Sequence, residues 1–227
     1  MSYQYLNERE RTGRLVNWHL LEDVEITDRG YPQMQPATLP DAVTHLVGFN
    51  EVLTDPNPTQ GCVHFFLDDY QFDRVWRTPE VYVEQLERYP AALSPDFSLY
   101  TNYPVPLQQW DHYRNQLMGA WWQAQGLTVI PTVSWSDEAS FAWCFDGLPE
   151  GGDAAVSTVG VLRQDETLLL FEHGLHAFIE RKHPSRILLY GQMRAEIGAI
   201  LCREGVKWRV FAHGQAERVK WRDKHGR

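Results

Sequence analysis

Thr128-Val129-Ile130-Pro131-Thr132-Val133-Ser134 and, twenty residues on, Ala154-Ala155-Val156-Ser157-Thr158 are two short apolar runs, each closing on hydroxyl residues. Runs of this length, rich in β-branched residues and apolar on both faces, read as strands covered on both sides, the habit of parallel sheets. Between them, residues 137–147 read as a short helix. Outward in both directions the same alternation recurs. Toward the N-terminus come a helix over 104–125, closed by Gly126 and carrying Trp110, Leu117 and Trp121 on one face, and a short strand at 91–93 running into Ser94-Pro95-Asp96. Before those lie a helix over 78–89, opened by Thr78-Pro79, and strands at 63–68 and 45–49. Toward the C-terminus come a helix over 168–182, a strand at 186–190, a helix over 194–202 and a strand at 207–212. Seven strands alternating with helices predict an α/β fold, a TIM-barrel-like (β/α) repeat that is complete or lacks a unit. Residues 44–214 form this domain. Residues 1–43, broken by Tyr31-Pro32, Gln35-Pro36 and Leu39-Pro40, form an N-terminal arm that wraps it, and residues 215–227 form a basic tail.

The composition suits one domain with a real core. Of 227 residues, 43% are hydrophobic and 22% charged, which excludes a disordered or fibrous chain. Three cysteines at wide spacing, Cys62, Cys144 and Cys202, form neither a disulfide framework nor a CxxC knuckle, so a reducing compartment is expected. With no leader and no apolar run of membrane length, the expected location is the cytoplasm. A net charge of −9 argues against a protein that coats nucleic acid, yet residues 203–227 hold eight Lys or Arg against three acids, a local +5. That end, with Trp208 and Trp221 interleaved, reads as a solvated terminus or as a phosphate-contacting tail.

In parallel α/β folds, ligands gather at the carboxyl ends of strands, where loops converge and helix N-termini present free N–H groups. The strand ends supply Asn50, then Asp68 and Asp69, then Asp96, then Ser134 and Trp135, then Ser157, Tyr190 and His213, with Arg114 at the start of the long helix. Three carboxylates on two sequence-adjacent strands are more than loops ordinarily provide. Crowded carboxylates raise one another's pKa, which sets a general acid beside a base or nucleophile, and they can also hold a divalent cation. Asp68, Asp69 and Asp96 are therefore the candidate catalytic residues, unless each merely caps its own turn. Asn50, Arg114, Ser134, Trp135, Ser157, Tyr190 and His213 are candidate substrate-binding residues, although Arg114 also stands where it can pair with Asp111 or Asp96. The nine histidines contain no HExxH and no finger spacing, and GxSxG, GxGxxG and the P-loop are absent. No nicotinamide, flavin or structural zinc signature is present, and a divalent cation is the one cofactor left open.

The runs Phe65-Phe66-Leu67-Asp68-Asp69-Tyr70-Gln71-Phe72, Val75-Trp76, Ser94-Pro95-Asp96-Phe97-Ser98-Leu99-Tyr100, Tyr113-Arg114-Asn115, Gly119-Ala120 and Val129-Ile130-Pro131-Thr132-Val133-Ser134-Trp135 together resemble domain-of-unknown-function family 4417. Cys144-Phe145-Asp146-Gly147, Val156-Ser157-Thr158-Val159-Gly160 and Leu189-Tyr190-Gly191 extend the likeness over roughly residues 45–200, leaving the arm and the tail outside. The resemblance implies a protein of phages, prophages and mobile elements. Asp68-Asp69-Tyr70-Gln71 is also similar to a turn of tRNA-guanine transglycosylase barrels, although the Gly-Gly and the Cys-x-Cys-x-x-Cys cluster of that family are missing. That likeness implies a carboxylate acting at the anomeric carbon of a nucleoside. The expectation is a hydrolase or glycosyl-transfer enzyme for a nucleotide, nucleoside or nucleic-acid base, with Trp135 or Tyr190 as a stacking wall. Its alternative is a non-catalytic phage or mobile-element factor that binds nucleic acid or a host protein. Neither reading sets an oligomeric state.

Overall fold

The computed structural model describes residues 7–161 and 164–212. Seven strands run parallel: β1 (His45–Gly48), β2 (Gly61–His64), β3 (Ala91–Leu93), β4 (Val129–Ile130), β5 (Asp153–Ser157), β6 (Arg186–Tyr190) and β7 (Lys207–Phe211). Their ladders form one sheet in the order β1-β2-β3-β4 and a second in the order β5-β6-β7. The two sheets meet at a single parallel bridge between Thr132 and Ala155. Pro131, which has no N–H to donate, ends β4 after two residues, so only the Val133 N–H and the Pro131 carbonyl reach Ala155, at 2.8 Å each. The α/β class and the parallel strands agree with expectation. No ladder closes β7 onto β1 among the described residues.

The helices are α1 (Glu8–Arg14), α2 (Arg74–Arg77), α3 (Pro79–Leu86), α4 (Val105–Ala124), α5 (Asp165–Lys182) and α6 (Ala195–Arg203). α5 carries Asp165 and Glu166 in its first turn and Arg181 and Lys182 in its last, charges that oppose the helix dipole at both ends. It stops at His183, which takes a left-handed conformation ahead of Pro184. α4 ends where Gly126 adopts φ +93°, a conformation that other residues rarely accept. The helix expected over 137–147 is instead a 3-10 turn, Glu138–Ala142, capped by Asp137 through the Ser140 N–H. Thr78 precedes Pro79 as expected but does not cap α3; its hydroxyl donates to the Arg74 carbonyl at 3.3 Å.

Rings dominate the packing. Phe49, Phe65, Phe72, Phe97 and Trp122 are all under 2% exposed, between the first sheet and α4. Each contributes about 1.5–3 kcal/mol through burial. A second cluster packs β5 and β6 against α5 and α6. A third draws a buried side chain from every strand: Leu46, Cys62, Leu93, Ile130, Ala155, Leu188 and Phe211. Residues ahead of β1 join these cores, since Met34, Leu39 and Val43 are at most 1% exposed. Among the described residues no helix is long and apolar enough to cross a membrane.

Candidate functional site

β2, β3, β4 and β5 point their carboxyl ends toward one cleft of about 450 Å³, lined on its polar side by Asp68, Asp96, Ser98, Ser134, Ser136 and Ser157. That size lies within the range of small-molecule sites. Phe66, Leu99, Trp135 and Phe171 supply apolar walls.

Asp96 stands three residues beyond β3. The residue is half-buried, and this loss of hydration pushes its pKa up to about 7; the Ser134 hydroxyl nearby pulls downward, and the nearby Asp69 carboxylate adds to the rise. Near neutral pH, Asp96 can therefore either give or take a proton. Its loop is fastened on three sides. Asn115 of α4 accepts from the Phe97 N–H at 2.7 Å and donates to the Phe97 carbonyl at 3.1 Å. Asp69 accepts from the Ser98 hydroxyl at 2.8 Å and from the Ser98 N–H at 3.2 Å. Ser94 accepts from the Thr132 N–H at 2.8 Å, while the Thr132 hydroxyl donates to the Ser94 carbonyl at 2.7 Å. Bonds of this kind hold a reacting group in place before the ligand arrives.

Asp68 precedes the 3-10 turn Asp69–Gln71 and is exposed; its side chain makes no capping bond, so the ordinary structural role of such an Asp is unfilled. Trp135 lies against Phe171 with ring centroids 5.3 Å apart. It reaches α5 because residue 174 is Gly: a Cβ there would fall 2.1 Å from the indole.

The candidate residues separate into those on the cleft and those off it. Asp68, Asp96, Ser134, Trp135 and Ser157 line it together. Asp69 stands behind, occupied with Ser98. Asn50 is exposed away from the cleft and donates to Gln71 at 3.0 Å. Arg114 is locked by Asp111, stands 3.6 Å from Asp73, and lies over the Phe97 ring at 3.7 Å. Of the two pairings considered for it, Asp111 is the one that forms. Tyr190 is buried in the third core cluster, stacked on Phe66 at 5.2 Å and 4.4 Å from the His64 ring. His213 and the basic tail over 215–227 lie outside the described residues. Among the described residues, no three His, Cys, Asp or Glu side chains are grouped to hold a metal ion.

Sequence reasoning passed over Phe66, Ser136, Thr167 and Phe171, all on the cleft. It also passed over His64, the buried last residue of β2, whose Nδ1 accepts from the Phe66 N–H at 3.2 Å. The strand was read as 63–68, but it ends at His64, so the signal was a boundary misplaced by four residues.

Fold and cleft together define a parallel α/β protein with a carboxylate-bearing hollow at its strand ends. The chain belongs to the family described as Domain of unknown function (DUF4417), which matches residues 27–203. The match starts well before residue 45 and so takes in much of the expected arm, in keeping with the burial of Met34, Leu39 and Val43. The chain is similar to the Gene 1 protein of Mycobacterium phage L5, at 44% identity over 134 residues, 59% of this chain and 58% of that one. It is also similar to the Gene 1 protein of Mycobacterium phage D29, at 42% over 134 residues, 59% of this chain and 50% of that one. The chain thus spans little more than half the length of these relatives. No solved structure matches it.

Proposed function

We propose that this phage-family protein is an enzyme of hydrolase or glycosyl-transfer type acting on a nucleotide, nucleoside or nucleic-acid base, with Asp96 as proton donor and Asp68 as base or nucleophile. The observation that carries the reading is the shared cleft: one carboxyl half-buried and raised to about 7, another exposed and left uncapped, with an indole that packs on α5 beside them. Two carboxyls in unlike surroundings can divide acid and base work. Trp135 offers a flat ring a stacking face. Asp69 acts on this pair from behind. The strands would then enclose one interior as an incomplete (β/α) barrel, a reading supported by the buried cluster to which all seven contribute.

Chromatographic detection of products from a panel of nucleosides and nucleotides tests the proposal. Asp68→Asn and Asp96→Asn should each lower turnover about 10²- to 10⁴-fold while the fold persists, and undiminished turnover in both would end it. A second reading, binding of nucleic acid or a host protein, draws on the basic end and on Trp208 and Val210, both exposed on β7. Deleting residues 213–227 should then weaken salt-sensitive binding, and unchanged binding would exclude the tail.

A further inference from the structure

We propose that the cleft takes an unphosphorylated ring rich in N–H and O–H donors, a free nucleobase or nucleoside, and turns away the phosphorylated form; this rests on the reading above and narrows it to one part of that class.

Most hydroxyl protons on the cleft wall are committed inside the protein. Of the hydroxyl side chains lining the cleft, Ser98 donates to Asp69 at 2.8 Å and Ser136 to Oε1 of Gln108 at 2.6 Å. Gln108 cannot present its other end, because its Nε2 donates to the Tyr103 carbonyl at 2.7 Å. Thr167 donates to the Gln164 carbonyl at 2.8 Å, and the Ser134 hydroxyl turns to Asp96, whose charged form it favours. A hydroxyl has one proton and two lone pairs, so each of these, its proton committed inside the protein, has only acceptor capacity left for a ligand. Ser157 accepts from the Val159 N–H at 3.2 Å and keeps its own proton, so it and Tyr100 are the hydroxyls here still able to donate. Asp68 and Asp96 add carboxylate oxygens to the same surface. At the cleft's α5 side the helix opens on Asp165 and Glu166, which already answer its dipole. Among the described residues no Lys or Arg lines the cleft, and Arg114 behind it is engaged with Asp111 and Asp73.

Such a surface is acceptor-rich and negative. A phosphate brings only acceptors and negative charge, so it meets unmatched lone pairs and Coulomb repulsion there. The edge of a nucleobase or the hydroxyls of a ribose bring donors to those lone pairs, and a flat ring can lie on Trp135.

Titration calorimetry of the full chain at about pH 8, where most Asp96 carboxyls are ionised, with adenosine, guanosine, cytidine and uridine against their 3′- and 5′-monophosphates reads this directly. At least one nucleoside should bind roughly tenfold or more tightly than either of its monophosphates. Asp68→Asn, at an exposed position, should shrink that gap to about threefold or less. A monophosphate that binds as well as its nucleoside, no binding by any of the eight pairs, or a gap unchanged in Asp68→Asn overturns the inference. Turnover measured alongside keeps the two claims apart. Tight nucleoside binding without turnover strikes the catalytic reading alone, and turnover with preferred monophosphates strikes this one alone.

Discussion

Asp153 and Asp96 are the same residue type at opposite ends of the strands, and the protein treats them in opposite ways. Asp153 opens β5 in register with Arg186, which opens β6, and the two side chains form a buried ion pair. The Leu39 N–H donates to the same carboxylate at 2.7 Å, and Arg186 also donates to the Leu39 carbonyl at 3.2 Å. The charge is matched, and residues ahead of β1 are tied down by the match. Asp96, past the end of β3, has the Ser134 hydroxyl beside it, and the charged group that acts on it is another carboxylate, Asp69. Among the described residues no Lys or Arg stands with it on the cleft. The chain thus matches a carboxylate's charge at the amino ends of its strands and leaves one without a cation beside it at the carboxyl ends, the arrangement on which the catalytic proposal draws.

The comparison can be broken by removing each charge in turn. Asp153→Asn should destabilise the protein by about 3–5 kcal/mol in urea unfolding, because it strands the Arg186 guanidinium, whose Nε already lacks a partner. A loss below about 1 kcal/mol would mean that the ion pair is ornamental.

Asp96→Asn should do the reverse. The carboxyl's pKa is raised by folding from 3.8 to about 7. The native state therefore binds the proton more tightly than the unfolded chain. The group's stabilising contribution is complete below pH 3.8 and is lost as pH rises through about 7. An amide in its place escapes that loss, so the variant should gain on the order of 2–4 kcal/mol over the parent at about pH 8 and nothing at about pH 4. Equal stability at both pH values would place Asp96 among well-hydrated carboxylates and remove its claim to a special role.

How much of this was readable beforehand depends on distance along the chain. Pro131, Gly126 and the β-branched runs act on their own neighbours, so the seven strands and the long α4 could be read from them. Asp68 and Asp96 were legible as a pair because both follow strands that lie side by side, β2 and β3. Arg114 and Asp111, three apart on α4, were legible for a related reason, since helical spacing brings them together. The Asp69–Ser98 bonds were not, because they join residues 29 apart whose approach depends on the path of two loops. Nor were Thr167 and Phe171, because which face of α5 meets the cleft is decided by packing, in part by the space that Gly174 leaves for Trp135. Tyr190 was placed at a strand end correctly, but its ring turns into the core, a choice set by the buried His64 ring and the half-buried Phe66 ring that it packs on.

The finest test of the contrast lies in the Ser134 hydroxyl beside Asp96. Ser134→Ala deletes a donor that favours the charged carboxyl, so the Asp96 pKa should rise further. Because a raised native pKa is lost stability on the alkaline side, the variant should be weaker than the parent by about 1 kcal/mol at about pH 8 and equal to it at about pH 4. A uniform loss at both pH values would mean that Ser134 serves packing and not the carboxyl. The same substitution in the Asp96→Asn background separates the two roles. If the hydroxyl acts through the charge, the pH-dependent part of the loss vanishes there, whereas a packing role would leave the loss as it was. Asp153 offers no equivalent experiment, because its neutral donor is the Leu39 backbone, and a backbone N–H survives every substitution but proline.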